Sequence, residues 1–435
     1  MGKAFPSSEP SAGVPNCSIH DLQNDSDLLD KKGEALPELF TDTVEKLLEE
    51  SVDLWSMMGP FWEGYRRPLA ALGLDLCSLL PSNDWLMPKE AAAAPLPFAC
   101  RCTHAQPTQP DGRLLSRFAY AQDERQRDVV IKLIDKGSME HQIYKYLAEC
   151  KSLYASRAPL GVLPPTAILG SPYRFSFVAM PRWGTKFKLQ DLNTVRQIMT
   201  FIHCTLSGLT FLHRHRIAHR DIDKTNIMIN WYCNNTPSAL CVQRLDEHTR
   251  SPDAEYAIFD FDLSLQLPLD TSLKSCRRPA EEAFTGKRLY HPADVFQGER
   301  YYNPFAFDVA CLGNLYLVYF QEAIPIIPLL APLLGKMTTH VIDERWSAEE
   351  AFAFFSDIQA SLTLDVLESS VTLQPNFDII GTPDLYWNQL SPEFRSSWRT
   401  HRPPPVSWLT RALRWAGTTE IGWTIIKAVR RHLHF

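Results

Sequence analysis

Glycine is scarce, 19 in 435 residues, and only Gly112 falls between Cys100 and Ser116; a glycine-rich loop is therefore excluded from that stretch. The ten cysteines are scattered, with only Cys100 and Cys102 close together and no C-x-x-C pair. That spacing excludes a dense disulfide framework or a zinc ribbon and suits reduced thiols of the cytosol or nucleus. A surplus of positive charge is also missing: 44 Lys and Arg face 50 Asp and Glu, a net charge of -6. No coating of nucleic acid is expected from such a chain, because counterion release needs many cationic contacts. A thirteen-residue apolar-looking run from Ala323 to Gly335 is broken by Pro325, Pro328 and Pro332, too short and too interrupted for a membrane-spanning helix. Residues 1–35 hold few apolar side chains and no signal-peptide core, so they are expected to be disordered. Myristoylation at Met1-Gly2 is not expected either, since Pro6 occupies the position that needs Ser or Thr.

What is present divides into periodic segments. Phe40, Val44, Leu47, Leu48, Trp55 and Met58 recur at helical spacing, which predicts a helical extension over 36–94 that packs on the domain following it. Between Pro95 and Ile134 the pattern predicts three strands, the last being Val129-Val130-Ile131-Lys132. Tyr173 to Met180 alternates like a strand and stops at Pro181-Arg182-Trp183-Gly184, a stiff and then flexible junction. Val195, Ile198, Met199, Ile202, Leu206, Leu209 and Leu212 mark an amphipathic helix. The stretch Trp231–Glu255 is polar and reads as a surface insertion. In the tail, Trp408, Leu409, Leu413, Trp415, Ile425, Ile426, Val429 and Leu433 interleave with Arg411, Arg414, Lys427, Arg430 and Arg431. A basic amphipathic helix of this kind suits either an anionic membrane or the apolar surface of its own domain, and the second is the expectation here.

The chemistry gathers in two places. Ile217-Ala218-His219-Arg220-Asp221-Ile222-Asp223-Lys224-Thr225-Asn226-Ile227-Met228-Ile229 and Tyr256-Ala257-Ile258-Phe259-Asp260-Phe261-Asp262 each set polar side chains beside a strand-like apolar run, which holds carboxylates rigidly at a cleft. The first contains H-R-D-x-x-x-x-N and the second opens D-F. On these motifs the chain resembles the protein kinase superfamily over about 95 to 365, with details closest to the divergent kinase-like proteins abundant in some fungi.

The resemblance implies an α+β, two-lobed protein kinase-like fold with a small β-rich N-lobe at 95–183, a mainly helical C-lobe at 184–365 and a C-terminal extension at 366–435. It implies ATP and Mg²⁺ as cofactors, a protein substrate and a serine/threonine type of phosphoryl transfer. Asp221 would be the base, Asn226 and Asp260 the metal ligands, and Lys132, paired with Glu140, the contact to the α and β phosphates. Backbone groups of Ala179, Met180 and Arg182 would meet adenine. Asp308 would anchor the catalytic loop from beneath, Asp294 would pair with Arg345, and Thr271 to Arg288 would form an activation segment whose phosphorylation Arg220 could partner.

Three departures accompany the match. The glycine-rich loop is missing, the glycine of D-F-G is Asp262, and the lysine that many kinases carry two residues after the catalytic aspartate is Asp223, leaving Lys224 to substitute. These departures motivate a second reading as a pseudokinase scaffold without turnover. A third, a small-molecule phosphotransferase, shares the same motifs.

Overall fold

The computed structural model describes residues 54–79, 85–86, 96–101, 117–155, 161–184, 187–233 and 239–433. The expected disorder over 1–35, the helical positions Phe40 to Leu48, and Gly112 with most of the glycine-poor stretch lie outside them.

The first described element is α1, Leu54–Ala71, followed by the short strand β1, Leu74–Leu76. Phe118–Asp123 (β2) and Asp128–Asp135 (β3) form a hairpin, α2 spans Met139–Glu149, and Ala167–Gly170 (β4) and Phe175–Pro181 (β5) complete one antiparallel sheet of five strands in the order β1-β2-β3-β5-β4. Three strands were expected between Pro95 and Ile134 and three lie there among the described residues: β2, β3 and Cys100–Arg101. The last pairs with Trp231–Tyr232 and stays outside the main sheet, whose edge strand Leu74–Leu76 comes from the stretch read as wholly helical. Three residues are too few for periodicity to separate a strand from a helix end.

β3 and β5 read as nearly unbroken apolar runs because both faces of the sheet are covered. Val129, Ile131, Leu133, Phe175, Phe177 and Ala179 face Met58, Phe61, Trp62, Tyr65 and Leu69 of α1. Phe61, Tyr65, Phe175 and Phe177 stack in mutual edge and tilted contacts with centroids 5.0 to 6.4 Å apart. Val130, Ile134, Val178 and Met180 face the other way, into the core shared with the helical body.

That body starts with α3, Val195–Arg214, at the predicted position; Thr194 and Gln197 form a reciprocal capping box at its start. Then come β6, Ile227–Ile229, α4, Ala239–Arg250, and β7, Tyr256–Ile258, with β6 and β7 paired antiparallel. The polar insertion is therefore partly helical: α4 buries Cys241 and Thr249, and Gln197 donates to the Thr249 hydroxyl at 2.7 Å. The longer helices that follow are α5, Pro304–Phe320, α6, Leu330–Thr338, α7, Ala348–Ser361, α8, Trp408–Gly417, and α9, Glu420–Leu433. The molecule is a mixed α/β protein in which strands of the main sheet precede most of the helices. Among the described residues no helix is long and apolar enough to cross a membrane.

α1 is joined to the sheet mainly by aromatic packing, so Phe61→Ala is expected to cost about 3–5 kcal/mol. A urea midpoint that moves by less than the equivalent of about 1 kcal/mol would show that this face of the sheet is covered by something else.

Candidate functional site

Lys132 lies in the middle of β3, opposite Phe118 on one side and Val178 on the other. Its side chain is only 1% exposed, and its ammonium is hydrogen-bonded to both Glu140 and Asp260. Glu140 comes from the first turn of α2, which Ser138 caps by accepting from the His141 amide at 3.1 Å. Asp260 follows β7. Three side chains separated by up to 128 positions thus meet at one point.

Burial alone would depress the Lys132 ammonium, but the carboxylates of Asp260 and Glu140 reverse this and hold it well above the ordinary lysine value. Burial pushes the Asp260 carboxyl up, and Lys132 beside it pulls it further down, below the ordinary range. Glu140 is raised, since burial outweighs Lys132 there. The signs fix when the cluster is charged. Asp260 contributes stability above the ordinary carboxylate range, lost as pH falls through its lowered value. Lys132 contributes below the ordinary lysine value, lost as pH rises through its raised one. Both contributions are present at neutral pH.

The loop from His219 to Asn226 is built on Asp308 of α5, which is fully buried. Its two carboxylate oxygens accept from the His219 and Arg220 amides at 2.7 Å each, and His213 Nε2 lies 3.2 Å away. His219 Nε2 is 3.0 Å from the Phe259 carbonyl, and the Phe259 amide donates to the Asn226 carbonyl at 3.1 Å. These bonds tie the two motif-bearing segments together. Asn226 Nδ2 donates to Asp221 Oδ2 at 2.8 Å and to the Asp221 carbonyl at 2.9 Å, which leaves the amide oxygen of Asn226 to face elsewhere. Phe261 is fully buried against Tyr144 and His219, with centroids 5.3 and 5.7 Å apart.

Asp260 holds a left-handed backbone, φ 72°, and Arg220 does the same at 68°. Such conformations are uncommon outside glycine and concentrate where function over-determines the backbone. Asp262 does not share this φ, so the position expected to need glycine accepts a carboxylate without strain. Burial and the neighbouring Asp260 carboxylate push the Asp262 carboxyl up, against Arg117 at 3.9 Å.

Not every expected residue points into this cluster. Lys224 directs its ammonium to the Tyr319 hydroxyl at 3.1 Å and over that ring. Asp223 is buried and turns back to accept from the Thr225 amide and hydroxyl at 2.8 and 2.6 Å. On β5 the Ala179 carbonyl accepts from the Thr166 amide at 2.7 Å, and the Arg182 amide donates to the Asp128 carbonyl at 3.1 Å. Ala179 and Met180 are fully buried, and the Arg182 guanidinium stacks on Tyr120 and Tyr232. Of the expected adenine contacts, these backbone groups of Ala179 and Arg182 already serve the sheet. Arg220 was expected to wait for a phosphate. Instead it donates to the carbonyls of Leu263 and Glu282 at 3.1 and 2.6 Å. Asp294 and Arg345 do pair, at 2.7 Å, both buried.

Sequence reasoning placed Lys287 in the activation segment and missed its contact with the catalytic loop. Its amide donates to Asp221 Oδ1 at 3.1 Å and its ammonium bonds to the Thr225 hydroxyl. It sits 66 positions from Asp221 in an irregular segment, where no periodicity reveals a partner.

A raised carboxyl means the folded chain binds protons more readily than the unfolded one, so stability falls as pH rises through that window. Asp262→Asn is therefore expected to raise the thermal midpoint at neutral pH, with the gain shrinking toward about pH 4; an equal or larger gain in acid would contradict it. A comparison with protein-family models gives no match and a comparison with curated proteins gives none, which leaves the chemistry of these side chains as the guide to function.

Proposed function

We propose that the chain adopts the two-lobed protein kinase fold and transfers the γ-phosphoryl group of ATP to a hydroxyl of a protein substrate, in the serine/threonine manner. The observation that carries this reading is Lys132, buried in the sheet between Glu140 and Asp260 while Asp221 and Asn226 stand on the loop bonded to the Asp260 segment. Removing an ammonium and two carboxylates from water costs several kcal/mol per ion. A site that later receives a polyphosphate gives that arrangement a use. The sheet with α2 would be the N-lobe, and the body from α3 to α7 the C-lobe.

The donor set suits Mg²⁺. One carboxylate, Asp260, and one amide oxygen, that of Asn226, are hard ligands of the kind that complete a shell otherwise made of phosphate oxygens and waters. Among the described residues no group of three or more His, Cys, Asp or Glu forms a metal cage, and an ion shared with a nucleotide does not need one. Bound there, Mg²⁺ would neutralise charge on the phosphates. Asp221 would orient the attacking hydroxyl and accept its proton. Its two oxygens each take one donor, Asn226 Nδ2 and the Lys287 amide, and a carboxylate has lone pairs to spare. Lys132 would bind the phosphates, fixed in direction by Glu140. The long segment 263–298, locked by Asp294 and Arg345, lies beside Asp221 and gives a protein substrate a platform, which favours this reading over a small-molecule acceptor.

Labelled ATP with Mg²⁺ and a general acceptor such as casein tests the proposal. The wild-type chain should transfer label, and Asp221→Asn should lose about 10²–10⁴-fold in rate. Equal incorporation by both proteins would end the enzyme reading and leave a nucleotide-binding scaffold.

A further inference from the structure

A phosphoryl group in flight carries negative charge that needs a cation close to the base. The loop itself does not supply one, since Asp223 is folded onto Thr225 and Lys224 is bonded to Tyr319, and Lys132 on β3 is assigned by the same reading to the α and β phosphates. Lys287 is differently placed. Its side chain is 56% exposed, with its ammonium at the Thr225 hydroxyl and 3.9 Å from Asp223 Oδ1, while its amide is fixed on Asp221 Oδ1. The approach leaves no room for a side chain at the preceding residue. Gly286 has φ +78°, and a Cβ there would come within 2.6 Å of Asp221 Oδ1.

Resting on the kinase reading, we propose that Lys287, from the segment after Asp262, is the cation that binds the γ-phosphoryl group. A lysine carries three rotatable donors on a flexible stem, so its ammonium can leave Thr225 for a phosphoryl oxygen while its backbone stays on Asp221. The charge count supports the placement. Asp221 at the rim and the buried Asp223 beside it are two negative charges, and Lys287 lies against both.

The segment that carries Lys287 is held from both sides by the chain itself. Arg220 binds the Glu282 carbonyl from within, and Arg278 binds the Glu282 carboxylate at 2.7 Å. From outside, α9 closes on it. Trp423 meets Phe284 edge to face with centroids 4.9 Å apart, Lys427 pairs with Glu281, and Arg430 pairs with Glu299 at 2.5 Å. Ile426 lies against Gly298, where an added Cβ would meet it at 2.4 Å. Lys287 is thus positioned by the C-terminal helix through the segment, and it is the residue that would touch the nucleotide.

Two measurements on Lys287→Met and Lys287→Arg decide the matter. In phosphotransfer, Lys287→Met should lose about 10²-fold in kcat with the KM for ATP within a few fold, and Lys287→Arg should recover much of it. In calorimetric binding, wild type should prefer ATP·Mg over ADP·Mg, and Lys287→Met should lose about tenfold of that preference. Wild-type turnover with a fully active Lys287→Met overturns the assignment and leaves the kinase reading intact. Nucleotide binding without turnover ends the enzyme reading, and the ATP preference then decides on Lys287 alone: its loss in Lys287→Met supports the assignment and its persistence overturns it. No binding of either nucleotide overturns both.

Discussion

An ammonium buried in an apolar sheet is tolerable only beside negative charge, and Lys132 satisfies this with carboxylates from two other elements. That requirement ties β3 to α2 and to the segment after β7. Removing any one member would strand the rest: without Lys132, Glu140 and Asp260 would repel, and without either acid a cation would sit half-neutralised in the core. The sheet and the helical body are therefore coupled by a charge constraint as well as by shared apolar packing through Val130, Val178 and Met180. The polar groups gather where the two meet.

Asp308 does comparable work one layer deeper. Its carboxylate replaces hydrogen bonds that the amides of His219 and Arg220 cannot find in regular structure, because the chain there leaves strand geometry and Arg220 turns left-handed. The loop is rigid because its orphan donors are answered by a side chain from a long, fully packed helix. Asp221 can then stand at the rim while the backbone beneath it is fixed. Four non-glycine residues among those described are left-handed, Gln126, Arg216, Arg220 and Asp260, and two of them, Arg220 and Asp260, lie in the two motif-bearing segments, where the geometry is constrained from outside.

Much of this was written in the sequence. The 3.6-residue spacing from Val195 to Leu212 gave α3 because one face of that helix is buried throughout, and the apolar run ending in Lys132 gave β3. The residues that converge are those of the spaced motifs, together with Glu140. What stayed hidden has physical reasons. β1 is too short for periodicity. Lys224 and Asp223 are adjacent, and local sequence does not say which way either side chain turns; Tyr319, contributed by α5, decides one and Thr225 the other. Arg220 carries a charge that suggested a phosphate partner, yet carbonyls of Leu263 and Glu282 meet its donors. Lys287 lies in a segment with no repeating pattern, placed by contacts that are all long-range.

The C-terminal extension resolves the choice between docking and free exposure in both senses. Trp423, Ile426, Lys427 and Arg430 face the segment 281–299, while Trp408, Trp415, Ile421 and Ile425 remain exposed. The docked side carries cations onto Glu281 and Glu299, so the basic character read from the sequence is partly internal to the fold. Exposed ion pairs contribute little singly, and it is the aromatic contact of Trp423 with Phe284, with Ile426 seated on Gly298, that gives the helix a defined position. A segment held this way from one side by Arg220 and from the other by α9 has its conformation set by the chain's own tail.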